Sequence, residues 1–181
     1  MKIIDILQTK FNNEFLQKDI ISLNEEWSLY SVIKINASIF LGWLENDDLL
    51  IVNVDGVFLY DIRNKDFIME DYESDFKKNL STNNLHYSLK DRNEIIDVFG
   101  LRGGGGNLLT VDNKWNLEIV NIYNGYRIPK LTNYRTRQSW FFKLQDISYE
   151  GYLYCGFSKT QNYFVLFGDQ GVNIFKKTNI E

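Results

Sequence analysis

Three aspartates, Asp55, Asp112 and Asp169, stand 57 residues apart, and each closes the same kind of stretch. The stretch is clearest in Trp27–Asp61. There an apolar strand is followed by a second ending in Gly42-Trp43, a polar loop, a third ending at Asp55, a glycine turn and a fourth strand. The plan returns around Gly100-Leu101 and Asp112, and again around Gly156-Phe157 and Asp169. From Leu41 to Asp55 the first and third copies align at an offset of 114 without a gap: Gly42 meets Gly156, Trp43 meets Phe157, Ile51 meets Val165. The middle copy is one residue shorter between Gly100 and Asp112, and its turn, Asn113-Lys114, lacks the glycine. Self-similarity at a fixed period marks a repeat architecture, and a repeat made of hairpins restricts the chain to a β fold. The expectation is one mainly β domain over residues 1–181, with three antiparallel four-stranded repeats of about 57 residues at 27–61, 85–121 and 140–176.

Ahead of the repeats, Ile3, Ile4, Leu7, Phe11 and Phe15 recur at helical spacing, and Ile20, Ile21 and Leu23 carry the apolar pattern on. Residues 1–24 are therefore expected to form one N-terminal α-helix with a single apolar stripe. From Trp27 the period shortens to that of a strand. Ile39–Leu44 and Leu49–Val54 are apolar at nearly every position, as strands covered on both faces must be. Asp55-Gly56 matches a tight two-residue hairpin.

Four antiparallel strands with an Asp-Gly hairpin before the last resemble a β-propeller blade. Propellers close with four to eight blades, and three units are visible here. The resemblance thus implies an open stack capped by the helix, or a ring completed by a second copy, with a two-sheet sandwich of the same strands as the alternative.

Composition narrows the function. Hydrophobic residues make up 44% of the chain, enough for a core, and aromatics 15%, which favours strands. Twenty-four acidic against 20 basic side chains leave a net charge of −4, which argues against a general nucleic-acid binder. No apolar run approaches the roughly 18 residues of a membrane span, and the first residues, with Asp5 inside their apolar run, do not read as a signal peptide. A single cysteine cannot form an internal disulfide. The expectation is a cytoplasmic protein, monomer or homodimer, without membrane association.

Residues able to do chemistry are scarce. His86 is the only histidine, which excludes a multi-histidine metal site. Cys155 occupies the repeat slot held by Leu41 and Phe99, the place of a buried apolar thiol. The Gly103–Gly106 run is not followed by a Lys-Ser/Thr pair and reads as a flexible loop that orders on a partner, not as a phosphate loop. Asp55, Asp112 and Asp169 each open a hairpin, where an aspartate accepts a hydrogen bond from backbone two residues on. Asp47-Asp48 and Glu70-Asp71 are adjacent pairs, which a strand aims to opposite faces. No catalytic residue, metal or cofactor is expected.

Two connectors of opposite sign lie between the repeats. Asp66, Glu70, Asp71, Glu73 and Asp75 have no basic residue among them. Arg127, Lys130, Arg135, Arg137 and Lys143 interleave with Tyr126, Tyr134, Trp140, Phe141 and Phe142 and with no acid between Arg127 and Lys143. The plain expectation is that the connectors are solvated edges or face each other. As a binding surface the acidic one is favoured, because it mimics phosphates toward a basic partner. The candidate partner-binding residues are Asp66, Glu70, Asp71, Tyr72, Glu73, Asp75, Gly103, Gly104, Gly105, Gly106, Tyr126 and Arg127.

Gly100–Val120, GLRGGGGNLLTVDNKWNLEIV, resembles segments of small bacterial immunity proteins. The resemblance implies a non-catalytic module that binds a cognate toxin domain and occludes its cleft. A self-associating β-repeat protein, and a ligand-binding protein or hydrolase with its site at the repeat rim, are the alternatives.

Overall fold

The computed structural model describes residues 22–24, 26–35, 38–72, 75–89, 92–101, 108–121, 127–142 and 151–178. Among them the regular structure is fifteen strands and one 3-10 turn, Phe76–Lys78. In order the strands are β1 (Ser22–Asn24), β2 (Trp27–Lys34), β3 (Ser38–Trp43), β4 (Leu49–Asn53), β5 (Val57–Asp61), β6 (Asp66–Asp71), β7 (His86–Leu89) and β8 (Glu94–Gly100). They continue with β9 (Thr110–Val111), β10 (Trp115–Asn121), β11 (Arg127–Asn133), β12 (Gln138–Phe141), β13 (Leu153–Phe157), β14 (Tyr163–Gly168) and β15 (Gly171–Lys177). The protein is mainly β, in several antiparallel sheets.

A five-stranded sheet runs β1-β2-β15-β14-β13, a four-stranded sheet β12-β11-β10-β9, and a six-stranded sheet β6-β5-β4-β3-β8-β7. The alternation of side chains along a strand shows how the sheets pack. On β14, Phe164 and Leu166 enter a cluster with Trp115, Leu117 and Leu131 of the four-stranded sheet. Tyr163, Val165 and Phe167 point the other way, onto Leu41, Ile51, Phe58 and Phe99 of the six-stranded sheet. The five-stranded sheet is therefore the middle layer, and β14 is buried along its whole length. Strand β4 repeats the device: Leu49 and Ile51 face the middle layer, while Leu50 and Val52 face a third cluster with Val57, Leu59, Tyr87, Leu89, Ile96 and Val98. That third cluster runs across the other face of the same sheet, from β5 to β7.

Two close backbone approaches fix neighbouring strands of this sheet. At the edge of β8, a Cβ on Gly100 would lie 2.1 Å from the Ile39 carbonyl oxygen, and one on Gly56 would lie 2.1 Å from that of Asp71. Only glycine lets the chains meet so closely. The bulge between Ser38 and Phe40 sits opposite Gly100, where the Leu101 N–H donates to Ile39 O at 2.9 Å.

Several expectations change. Ser22–Asn24, placed at the end of a helix by sequence, is a strand paired with Trp27 and Ser28; the rest of the expected helix, residues 1–21, lies outside the described residues. Strand β2 does not begin a four-stranded unit with β3. It pairs with β15, so Trp27 lies opposite Lys177 and Ile33 opposite Val172. Both connectors contain strands: β6 lies in the acidic one, and β11 and β12 in the basic one. At the first hairpin the Asn53 N–H donates to Gly56 O, so Val54 and Asp55, not Asp55 and Gly56, are the central residues. Strands β3–β4–β5 and β13–β14–β15 do form matching meanders, while β8 pairs with β3 and β7, and β9 pairs with β10.

Candidate functional site at the acidic edge strand

Strand β6 ends the six-stranded sheet, and among the described residues its pairing partner is β5 on one side. A bulge between Leu59 and Tyr60 leaves Ile68 without an opposite number, so its side chain turns outward and is 47% exposed. Phe67 holds the strand down, with its ring centroid 5.9 Å from Phe58 and 5.3 Å from Tyr60, and Met69 packs on the third cluster. The outward row is Asp66, Ile68 and Glu70. An edge strand that is bulged and lined with carboxylates repels indiscriminate strand pairing and leaves a charged, mixed surface.

Tyr72 follows directly and is 65% exposed. Its ring packs edge-on to Phe58 at 5.2 Å, and its hydroxyl donates to Glu70 Oε2 at 2.7 Å. That hydrogen bond holds the phenol above its usual pKa, with burial, the Glu70 charge and Asp55 adding to the effect. Val54, 64% exposed, stands in the adjoining turn. Asp75 opens the 3-10 turn, its Oδ1 accepting from the Lys77 N–H. Exposed Lys65, Lys77 and Lys78 bracket the acidic run.

Of the residues singled out by sequence, Asp66, Glu70, Asp71, Tyr72 and Asp75 come together here. Arg127 does not: it begins β11, half-buried opposite Asn121 in the four-stranded sheet. Glu73, Gly103, Gly104, Gly105, Gly106 and Tyr126 lie outside the described residues. The acidic strand and the basic hairpin do not face each other, since the five-stranded sheet lies between their sheets. Lys130 instead pairs with Glu118 on β10 at 2.9 Å, and Arg135 and Arg137 occupy the exposed β11–β12 turn. Ile68, Val54 and the Phe58 support escaped the sequence reading. The one available signal was Ile68, which breaks the outward polar phase of β6.

Elsewhere reactive groups are held in structural roles. Cys155 is 4% exposed, and burial pushes its thiol up to about 12. His86 Nδ1 lies 2.8 Å from Asp97 Oδ1 on an exposed cross-strand pair. Asp47 and Asp48 are buried at the β3–β4 loop, where Asp47 Oδ2 accepts from Thr160 Oγ1 and Asp48 Oδ2 from Asn46 Nδ2. The hairpin role expected of Asp55 belongs to Asn53, whose Oδ1 accepts from the N–H groups of Asp55 and Gly56 at 2.8 and 2.9 Å. Among the described residues no group of three or more His, Cys, Asp or Glu side chains is placed to hold a metal ion, and no helix is long and apolar enough to cross a membrane. No protein-family model and no curated protein matches the chain.

Proposed function

We propose that the chain is a non-catalytic protein-binding module, an immunity protein that occludes a cognate bacterial toxin in the cytoplasm, and that β6 with Tyr72 is its contact surface. The observation that carries this is Tyr72: an exposed ring fixed by Phe58 and Glu70 beside a carboxylate row. A pre-positioned aromatic loses little rotamer freedom on binding and serves as an anchor, while the surrounding charge speeds encounter with a basic cleft. Behind the surface stands a scaffold of three related units of about 57 residues, each organised round a strand-and-hairpin plan.

The test is a binding titration against the toxin domain encoded beside this chain. A 1:1 complex is expected, and reversing Glu70, Asp71, Glu73 and Asp75 to lysine weakens it. Undiminished affinity in the reversed protein removes β6 as the interface. A second reading, self-association, is favoured by β12, which ends the four-stranded sheet with no acidic residue along it. Light scattering separates the two, because a monomer at high concentration rules self-association out.

A further inference from the structure

A second cluster lies at the mouth between the five-stranded and six-stranded sheets, reached by Lys65 just ahead of β6. Tyr30 is the bulged residue of β2, unpaired between Leu29 and Ser31, and the bulge aims its ring toward that mouth. Lys65 Nζ sits 4.0 Å above the ring centroid and donates to the Tyr30 carbonyl oxygen at 3.0 Å. Lys176 Nζ lies 5.3 Å from the same centroid and 5.8 Å from that of Tyr163, its cross-strand partner on β14. The rings of Tyr30 and Tyr163 meet at 5.7 Å, and Trp43 stacks on Tyr163 from the six-stranded sheet. Burial pushes the Tyr163 phenol up, and the Asp47 charge adds to it while Arg63 opposes it.

Among the described residues, this is the one place where two cations stand over the same ring. Lys114, Lys130, Lys159 and Lys177 each pair with a carboxylate. Lys65 and Lys176 have none among the described residues, although the chain carries an excess of acid; they share a tyrosine ring instead. The carboxylates nearest in sequence are engaged in their own turn. Asp61 accepts from the Arg63 and Asn64 N–H groups and from Asn64 Nδ2, and Asp66 Oδ1 accepts from the Phe67 N–H. Two ammonium groups held over one ring repel each other, and the ring's quadrupole offsets only part of that. An anion that contacts both ammonium groups offsets the repulsion and gains charge-assisted hydrogen bonds.

We propose that Lys65 and Lys176, gathered at Tyr30 and Tyr163, form a binding site for a phosphate-class anion. Both ammonium nitrogens lie within 5.3 Å of the Tyr30 ring centroid, so an anion bound at that ring meets two cations. With both lysines over Tyr30 and Tyr163 packed on Trp43, the rings support the cations and are not free to stack on a base. The recognised chemistry is therefore the phosphoryl group itself.

Isothermal titration of the full chain at low ionic strength, with inorganic pyrophosphate and with ADP as probes, tests this. Saturable binding of pyrophosphate is expected, with ADP no tighter. The double variant K65Q/K176Q should lower the affinity at least about ten-fold. K65R/K176R, which keeps both charges, should retain binding and shows that a loss in the glutamine variant is not a folding defect. K130Q, in the distant four-stranded sheet, should change nothing. The proposal is overturned if neither probe binds saturably at millimolar concentration, or if K65Q/K176Q binds pyrophosphate as the parent does. Binding of ADP well above pyrophosphate overturns the narrower claim that the phosphoryl group alone is read.

Discussion

Glu45 and Lys159 form an ion pair across 114 residues of sequence, and they are the two residues that the repeat alignment superimposes on each other. The β3–β4 loop and its counterpart between β13 and β14 thus meet where the six-stranded and five-stranded sheets pack, and Thr160 adds a hydrogen bond to Asp47. Glu45 is 78% exposed, so solvent screens the pair. A double-mutant cycle with Glu45→Ala and Lys159→Ala should return a coupling below about 0.5 kcal/mol. A coupling above about 2 kcal/mol would mean the pair is shielded from water.

Gly100→Ala should destabilise the protein by about 2–3 kcal/mol, because the new methyl meets the backbone of Ile39 and Phe40, which cannot move without breaking the β3–β8 pairing. Gly56→Ala meets the Asp71 backbone in the same way. Gly151→Ala is the contrast, since its methyl meets only the Asp169 carboxylate, at 3.2 Å, and a side chain can swing aside. Urea midpoints that rank Gly151→Ala with the other two would contradict these close backbone approaches.

Cys155 should resist Ellman's reagent in the native protein at pH 8 and react fully once unfolded. The sign of its pH effect follows from the raised pKa. Below about 9 the thiol is protonated in both states and the contribution is constant; between 9.0 and about 12 the unfolded chain loses its proton first. Stability attributable to Cys155 therefore falls as pH rises through that window, by about 1.4 kcal/mol per unit. Comparing the parent with Cys155→Ala from pH 8 to 10.5 isolates the effect, and parallel curves would show that the thiol is not buried.

Trp27→Ala should cost about 3–5 kcal/mol. The indole is fully buried against Trp115, Phe157 and Phe164, at centroid distances of 6.2, 5.6 and 5.0 Å. Removing residues 1–34 should abolish the cooperative transition in denaturation, because β15 then loses its partner β2. A truncated chain that still melts sharply would place β2 outside the folding unit.

Tyr72→Ala should leave stability within about 1 kcal/mol, as expected for a largely exposed ring, yet weaken partner binding at least ten-fold. Tyr72→Phe keeps the ring on Phe58 and loses only the hydrogen bond to Glu70, so its effect on binding should be smaller. Equal affinities for all three proteins would remove Tyr72 as an anchor.

Local pattern made a good part of this legible. Within the doubly apolar runs Ile39–Leu44 and Leu49–Val54, Ser38–Trp43 and Leu49–Asn53 are strands buried on both faces, since only such strands need apolar side chains in both phases, while Val54 falls in the exposed turn. Cys155 is buried where its alignment with Leu41 and Phe99 placed it. The acidic run is exposed, and its tyrosine stands beside it. Strands inside the supposed connectors were missed because β6, β11 and β12 mix charges with apolar residues, and Ile68 breaks the alternation at a bulge.

By itself, then, the sequence determined that the chain folds as strands and hairpins, which stretches need cover on both sides, and where its carboxylates crowd. Tertiary structure alone decided that β2 completes the C-terminal meander, that β3 lies beside β8, and that Lys65 and Lys176 converge on Tyr30. The physical reason is range. Side-chain alternation is written in neighbours two residues apart, whereas the choice of strand partner depends on which apolar faces fill one another's gaps across the whole chain.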